Sequence, residues 1–185
     1  TRGEIMKDRS ENWKDIKGMY DQISERTSKL TMKPLFYEWN TWRDLHYLGN
    51  PKNIMPNFKM DYDNNPITTA PSKLPDILIE FDNYWLTVEV TLQSGYKQYE
   101  SEGESIIRHL GSLQRENIQK GDERPCFGLF IAEKIKSEVI NYLQISSMKE
   151  TSIFSGPVKI FPIERIQLLN YIEEIIGLKN EDKNP

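Results

Sequence analysis

The stretch PDILIEFDNYWLTVEVT, residues 75–91, leaves this chain few ways to fold. Ile, Tyr, Trp, Leu, Thr and Val favour strands, and Asp82-Asn83 between two such runs is a two-residue turn signal. A tight hairpin with that loop pairs residues whose numbers sum to 165, so Ile77 faces Val88, Ile79 faces Leu86 and Phe81 closes against Tyr84. One face is then continuous hydrocarbon. The other brings Asp76 directly opposite Glu89 at one end. Like charges opposed on neighbouring strands destabilise a sheet, and crowded carboxylates raise each other's pKa or need a cation between them. A hairpin built only for packing has no use for that arrangement. The competing reading is a solvated edge with two unrelated acids, and a longer loop would shift the register and move side chains to the opposite face.

The rest of the chain is read around this hairpin. Residues 4–28 carry Ile5, Trp13, Ile16, Tyr20 and Ile23 at roughly helical spacing among charges. Pro34 opens a second helix, KPLFYEWNTWRDLHYLG, which Gly49-Asn50-Pro51 terminates. The breaker clusters NPKN, MPN, DNNP and APSK make residues 49–74 mostly loop, with a short strand expected around Phe58 to Tyr62. Ser101-x-x-Glu104 reads as a capping box introducing a helix through Asn117, with Ile106, Ile107, Leu110 and Leu113 facing the core. Pro125 precedes a buried strand from Cys126 to Ala132, followed by a helix from Lys134 to Gln144. A strand from Val158 to Pro162 and a helix from Ile166 to Ile176, ending at Gly177, complete the pattern. This order describes an α/β fold, a mixed central β-sheet flanked by helices on both faces.

At 185 residues the chain is expected to form one domain (1–185), with an N-terminal helical segment over 1–30 and a polar, frayed tail over 178–185. Its composition is that of a soluble globular protein. No apolar run approaches a membrane span and no signal-peptide pattern opens the chain, so a cytoplasmic location is expected. The single cysteine, Cys126, lies in the apolar run CFGLFIA and reads as a buried thiol in a reducing compartment. A net charge of −4 without a basic stripe argues against a free-standing DNA binder.

Pro75-Asp76, the thirteen-residue step to Glu89, and Glu89-Val90-Thr91 resemble the PD-(D/E)-x-K nuclease motif, with threonine in the lysine place. The longer strings PDILIEF, LTVEVTLQSGYKQYESEGESIIRHL and CFGLFIAEKI resemble the cleavage domains of type IIS restriction and nicking endonucleases of the AlwI-like group, over roughly residues 30–175. More narrowly, the chain is similar to the small subunit of a heterodimeric type IIS enzyme, in which a large subunit reads the site and nicks one strand while the small subunit cuts the other. The length, with no room for a DNA-reading domain beside a cleavage domain, agrees with that likeness.

The resemblance implies a restriction-endonuclease-like fold, double-stranded DNA as substrate, bacterial origin and Mg²⁺ as cofactor, with Mn²⁺ as a substitute. It implies that Asp76, Glu89 and the Val90 carbonyl hold the metal, since hard oxygen ligands suit Mg²⁺. It places Glu102 and His109, two helical turns apart, in the catalytic region. There His109 is a proton acceptor or phosphate contact, against the alternative of a core-edge histidine bonded to a neighbour. For Glu102 the alternative is an acid favoured by the helix dipole in a first turn. Glu38, an acid among aromatics in FYEWNTW, matches the family's upstream glutamate near the metals, against a partly exposed helix glutamate. Thr91 points into the same site but cannot carry a lysine's charge. That departure keeps open a second reading, a catalytically decayed partner that only stabilises the large subunit, and a third is a nuclease fold acting alone on structured nucleic acid. Trp39 and Trp42 are expected in the core. Glu100, Glu102 and Glu104 point in different directions and do not read as a metal cage, while Lys97 and Arg108 are candidates for single phosphate contacts.

Overall fold

A computed structural model describes residues 9–94, 96–147 and 158–181. In chain order, helices α1 (Arg9–Ser24) and α2 (Lys33–Leu45) precede strands β1 (Asn53–Pro56), β2 (Lys59–Met60), β3 (Pro66–Thr68), β4 (Ile77–Glu80) and β5 (Trp85–Thr91). Then come α3 (Tyr96–Gln119), β6 (Cys126–Ala132), α4 (Ser137–Ser147), β7 (Lys159–Glu164) and α5 (Arg165–Glu181). The expected hairpin forms in the expected register, with Ile77 opposite Val88 and Ile79 opposite Leu86. The Phe81 N–H donates to the Tyr84 carbonyl at 2.9 Å and the two rings stack at 4.3 Å, which fixes Asp82-Asn83 as the loop.

The hairpin is the centre of a five-stranded sheet of order β1-β4-β5-β6-β7. Strands β1, β4 and β5 are antiparallel, whereas β5, β6 and β7 run parallel. Parallel neighbours need a crossover connection, and α3 and α4 lie in those connections. On one face, Ile77, Ile79, Val88 and Ile131 pack with Trp13, Ile16, Tyr20 and Ile23 of α1 and with residues of α2 and α5. On the other, Phe130 and Ala132 pack with Ile106 and Leu110 of α3 and Val139 and Leu143 of α4. Gly128 lets α3 and β7 close on β6, since a Cβ there would meet Ile160 Cγ1 at 2.9 Å and Leu110 Cδ2 at 3.4 Å. Trp39 and Trp42 pack against the first cluster, and Cys126 is a buried free thiol.

Four expectations need correction. Residues 49–74, though mostly loop as expected, hold three short strands rather than one: β1 joins the main sheet, with Ile54 opposite Ile79, and β2 and β3 form a separate pair. Pro56 hid β1, but an edge strand tolerates a proline because one side needs no donor. The helix thought to begin at a Ser101 capping box begins at Tyr96, so Ser101 is interior. Its start is set from a distance instead, by the fully buried Gln98, whose Nε2 donates to the carbonyls of Gln93 and Lys134, both at 3.0 Å. Helix α4 starts at Ser137 rather than Lys134. Helix α5 runs through Gly177 to Glu181, since an exposed glycine weakens a helix by about 1 kcal/mol but does not forbid it. The α1 expectation holds over Arg9–Ser24, and residues 4–8 lie outside the described residues. Among the described residues, no helix is long and apolar enough to cross a membrane.

Candidate active site

The acidic end of the hairpin is where β4 begins and β5 nears its end. Asp76 is fixed there by its neighbours: Asn57 N–H donates to the Asp76 carbonyl at 3.0 Å and Asn57 Nδ2 to the Pro75 carbonyl at 2.7 Å. The Asp76 side chain crosses to β5, where its Oδ2 accepts the Val90 N–H at 2.7 Å. Glu89, 6% exposed, points to the α3 side of the sheet, where its Oε1 meets His109 Nδ1 at 2.5 Å. His109 Nε2 in turn donates to the Ser72 carbonyl at 3.1 Å. Two residues along β5, Thr91 donates its hydroxyl to Glu102 Oε1 at 3.1 Å. Glu38, buried on α2, accepts the Ala70 N–H on Oε2 at 3.1 Å. Thus a strand pair, two helices and the loop before β4 all converge on one spot.

The electrostatics bear the strain of that convergence. Burial raises Asp76 well above the usual carboxylate range, with Glu89 and Glu38 pushing it further, against the Val90 N–H that favours its charged form. Burial also raises Glu89, opposed by His109. Glu38 is pushed up to about 7, by burial first and then by Glu89 and Glu102, despite the Ala70 N–H. For His109, burial acts downward, yet the hydrogen bond and charge of Glu89 outweigh it and leave the imidazole above its ordinary value. Four acids near enough to perturb one another are crowded at this spot, with the His109 imidazole and the Arg108 guanidinium as their cationic neighbours. Among the described residues, no group of three or more His, Cys, Asp or Glu side chains forms a ready metal cage.

The family model for the AlwI restriction endonuclease matches residues 7–171. The chain belongs to the AlwI restriction endonuclease family. Among solved structures, it is similar to the small subunit of the heterodimeric restriction endonuclease R.BspD6I, with a TM-score of 0.72 and 27% identity. That match covers 89% of this chain and 78% of the other. No curated protein matches it. Membership of this restriction family agrees with the mixed sheet flanked by helices.

Of the residues singled out in the sequence of this AlwI-family chain, Asp76, Glu89, Val90, Thr91, Glu38, Glu102 and His109 all come together. Glu104 stands apart, exposed and paired with Arg108, which also donates to the Ser72 carbonyl at 3.3 Å. The side chains of Lys97 and Glu100 lie outside the described residues. Sequence reasoning missed Asn57, Ser72 and Ala70, whose backbone or amide groups hold Asp76, His109 and Glu38. The breaker runs MPN and APSK marked their loops, but nothing local says which carbonyl a distant histidine will find.

These shifts predict a pH dependence for the metal-free protein. Glu38, Asp76, Glu89 and His109 all have folded pKa values above their unfolded ones, so the folded state binds more protons than the unfolded one. Their stabilisation is fully present below the unfolded values and is lost as pH rises through the folded ones. For Glu38 the window runs from the ordinary glutamate value of 4.5 to about 7. The melting temperature of the metal-free chain should therefore fall between about pH 5 and pH 8. Glu38→Gln should flatten part of that slope and melt higher than the parent at the alkaline end, by up to about 3 kcal/mol of stability. Thermal unfolding followed by circular dichroism across that range checks it; an equal slope in parent and variant would remove Glu38 from the pocket's charge balance.

Proposed function

We propose that this chain is the catalytic small subunit of a heterodimeric type IIS restriction endonuclease, hydrolysing one DNA strand outside the sequence read by a large subunit, with Mg²⁺ as cofactor. The observation that carries the proposal is the buried carboxylate pair at the hairpin end, Asp76 and Glu89, whose pKa values are raised by burial and by neighbouring acids. The similarity to a small subunit of R.BspD6I supports the heterodimer, and the net charge of −4 fits a chain that leaves most phosphate affinity to a partner.

The donor set fits a hard cation. Asp76, Glu89 and the Val90 carbonyl offer oxygen alone, and the excess negative charge there is what a divalent ion relieves. Asp76, Glu89 and the Val90 carbonyl would hold Mg²⁺ and would leave room for water and a substrate phosphate beside them. When bound, the metal polarises the scissile phosphate and acidifies an attacking water. The protein's part is positional. The Val90 amide holds Asp76 against β5. His109 engages protein with both ring nitrogens, so it orients Glu89 rather than standing free as a proton acceptor. Glu38, with a pKa near neutrality, is suited to exchange a proton at the pocket wall. The decayed-partner reading rests on Thr91 alone, whereas the acids around it are intact.

Two measurements test the proposal. The purified chain with Mg²⁺ should cleave plasmid negligibly and bind DNA weakly at physiological salt, while addition of its large partner subunit should give double-strand cuts. Robust site-specific cleavage by the chain alone would overturn the subunit assignment. Mg²⁺ or Mn²⁺ should also raise the melting temperature through linkage, by about 2.7 kcal/mol at a hundredfold excess over the dissociation constant. An undiminished metal response in both Asp76→Asn and Glu89→Gln would take these residues out of the metal site.

A further inference from the structure

Thr91 stands where the nuclease motif carries lysine, and its hydroxyl is fully engaged. The residue is 6% exposed. Its Oγ1 accepts the Gln93 N–H at 3.0 Å and lies 3.1 Å from Glu102 Oε1. A hydroxyl has a single proton, and a carboxylate can only accept, so that proton is directed at Glu102. The loop that follows is clamped a second time, because Gln98 Nε2 holds both the Gln93 and Lys134 carbonyls at 3.0 Å. The helix under Glu102 is equally constrained. A Cβ on Gly103 would lie 2.8 Å from the Tyr142 ring, so α3 packs tightly against α4 at this turn.

We propose that Thr91 is a positioning residue: its hydroxyl locks Glu102 of α3 onto the Asp76–Glu89 site, so that a helix carboxylate held from the strand completes the pocket in which the motif's lysine is absent. A glutamate has three side-chain torsions, and an unanchored one would sample many positions at the pocket wall. The bond to β5 selects one. This makes Thr91 neither a spacer nor a phosphate contact, and it explains how the threonine is compatible with an intact site. The inference rests on the reading of Asp76 and Glu89 as a cation site.

The test uses the purified chain and Mn²⁺ alone, with free Mn²⁺ counted by electron paramagnetic resonance. Asp76→Asn, the control for the underlying site, should lose the Mn²⁺ binding of the parent. Thr91→Val, which keeps the strand shape, should weaken binding about tenfold, as removal of the partner that orients a ligand typically does. Thr91→Ser restores the hydroxyl and should stay within about twofold of the parent. Glu102→Asp keeps the charge but shortens the reach to Thr91, so it should lose affinity like Thr91→Val while leaving β5 untouched, which covers the case in which the valine variant fails to fold. Because the hydroxyl acts only through the carboxylate, Thr91→Val combined with Glu102→Gln should bind no more weakly than Glu102→Gln alone. Parent-like affinity in both Thr91→Val and Glu102→Asp, or losses that simply add in the double variant, would overturn the proposal. Parent-like affinity in Asp76→Asn would instead overturn the cation site beneath it.

Discussion

Asp76→Asn or Glu89→Gln, combined with an unaltered large subunit, is expected to turn double-strand cleavage into nicking. If each subunit supplies one active site, the partner's cut survives and only this chain's strand is spared. On the proposed function the carboxylates hold the ion that meets the charge developing on the reacting phosphate, so the rate on this strand should fall by about a hundredfold or more. The two variants are also expected to fold. Asp76 and Glu89 are acids whose burial raises their pKa, so amides at these positions relieve repulsion rather than leave a bare charge. Glu89→Gln keeps a hydrogen-bonding group opposite His109, and Asp76→Asn keeps an oxygen for the Val90 N–H. Strand-specific end labels read the outcome: a nick on the partner's strand alone separates a dead site from a misfolded subunit. Persistent double-strand cleavage by both variants would reduce the hairpin end to a scaffold.

The second large effect is on stability. Leu110→Ala should destabilise the chain by about 2–5 kcal/mol, because it deletes a fully buried side chain between α3 and β6. At this chain length that is a loss of about 2–4 °C in melting temperature per kcal/mol. Leu110 is the residue next to His109, on the helix that also carries Glu102. Cleavage of this chain's strand should therefore fall more than the folded fraction alone explains, since α3 loosens where it holds Glu89 through His109. Chemical denaturation measures the first quantity, and strand-specific cleavage at a temperature well below melting measures the second. A stability loss under about 1 kcal/mol would mean that the α3–β6 contact relaxes to fill the space.

What could be read from the sequence lay where the determining contacts are local. Asp82-Asn83 sets a two-residue loop, the loop sets the register, and the period of two then puts Asp76 and Glu89 on one face. The run CFGLFIA bounded by Pro125 gave β6 at its observed limits for the same reason: a short, continuous apolar strand needs no partner to be recognised. The seven-residue step from Glu102 to His109 likewise carried both to one side of a helix.

The tertiary structure decided everything that depended on a distant group. β1 is a strand only because β4 pairs with it, which no propensity in Asn53–Pro56 would suggest. The start of α3 is fixed by Gln98 reaching two loops, not by Ser101. Glu38 has an ordinary helix position, and it becomes a near-neutral acid only where α2 meets the loop before β4 and the acids of β5 and α3. For Thr91 the sequence showed a missing lysine, whereas the fold supplied Glu102 as the group that its hydroxyl holds. Local sequence fixes which face a side chain takes; burial, and the charges that other segments bring to that face, fix what it can do there.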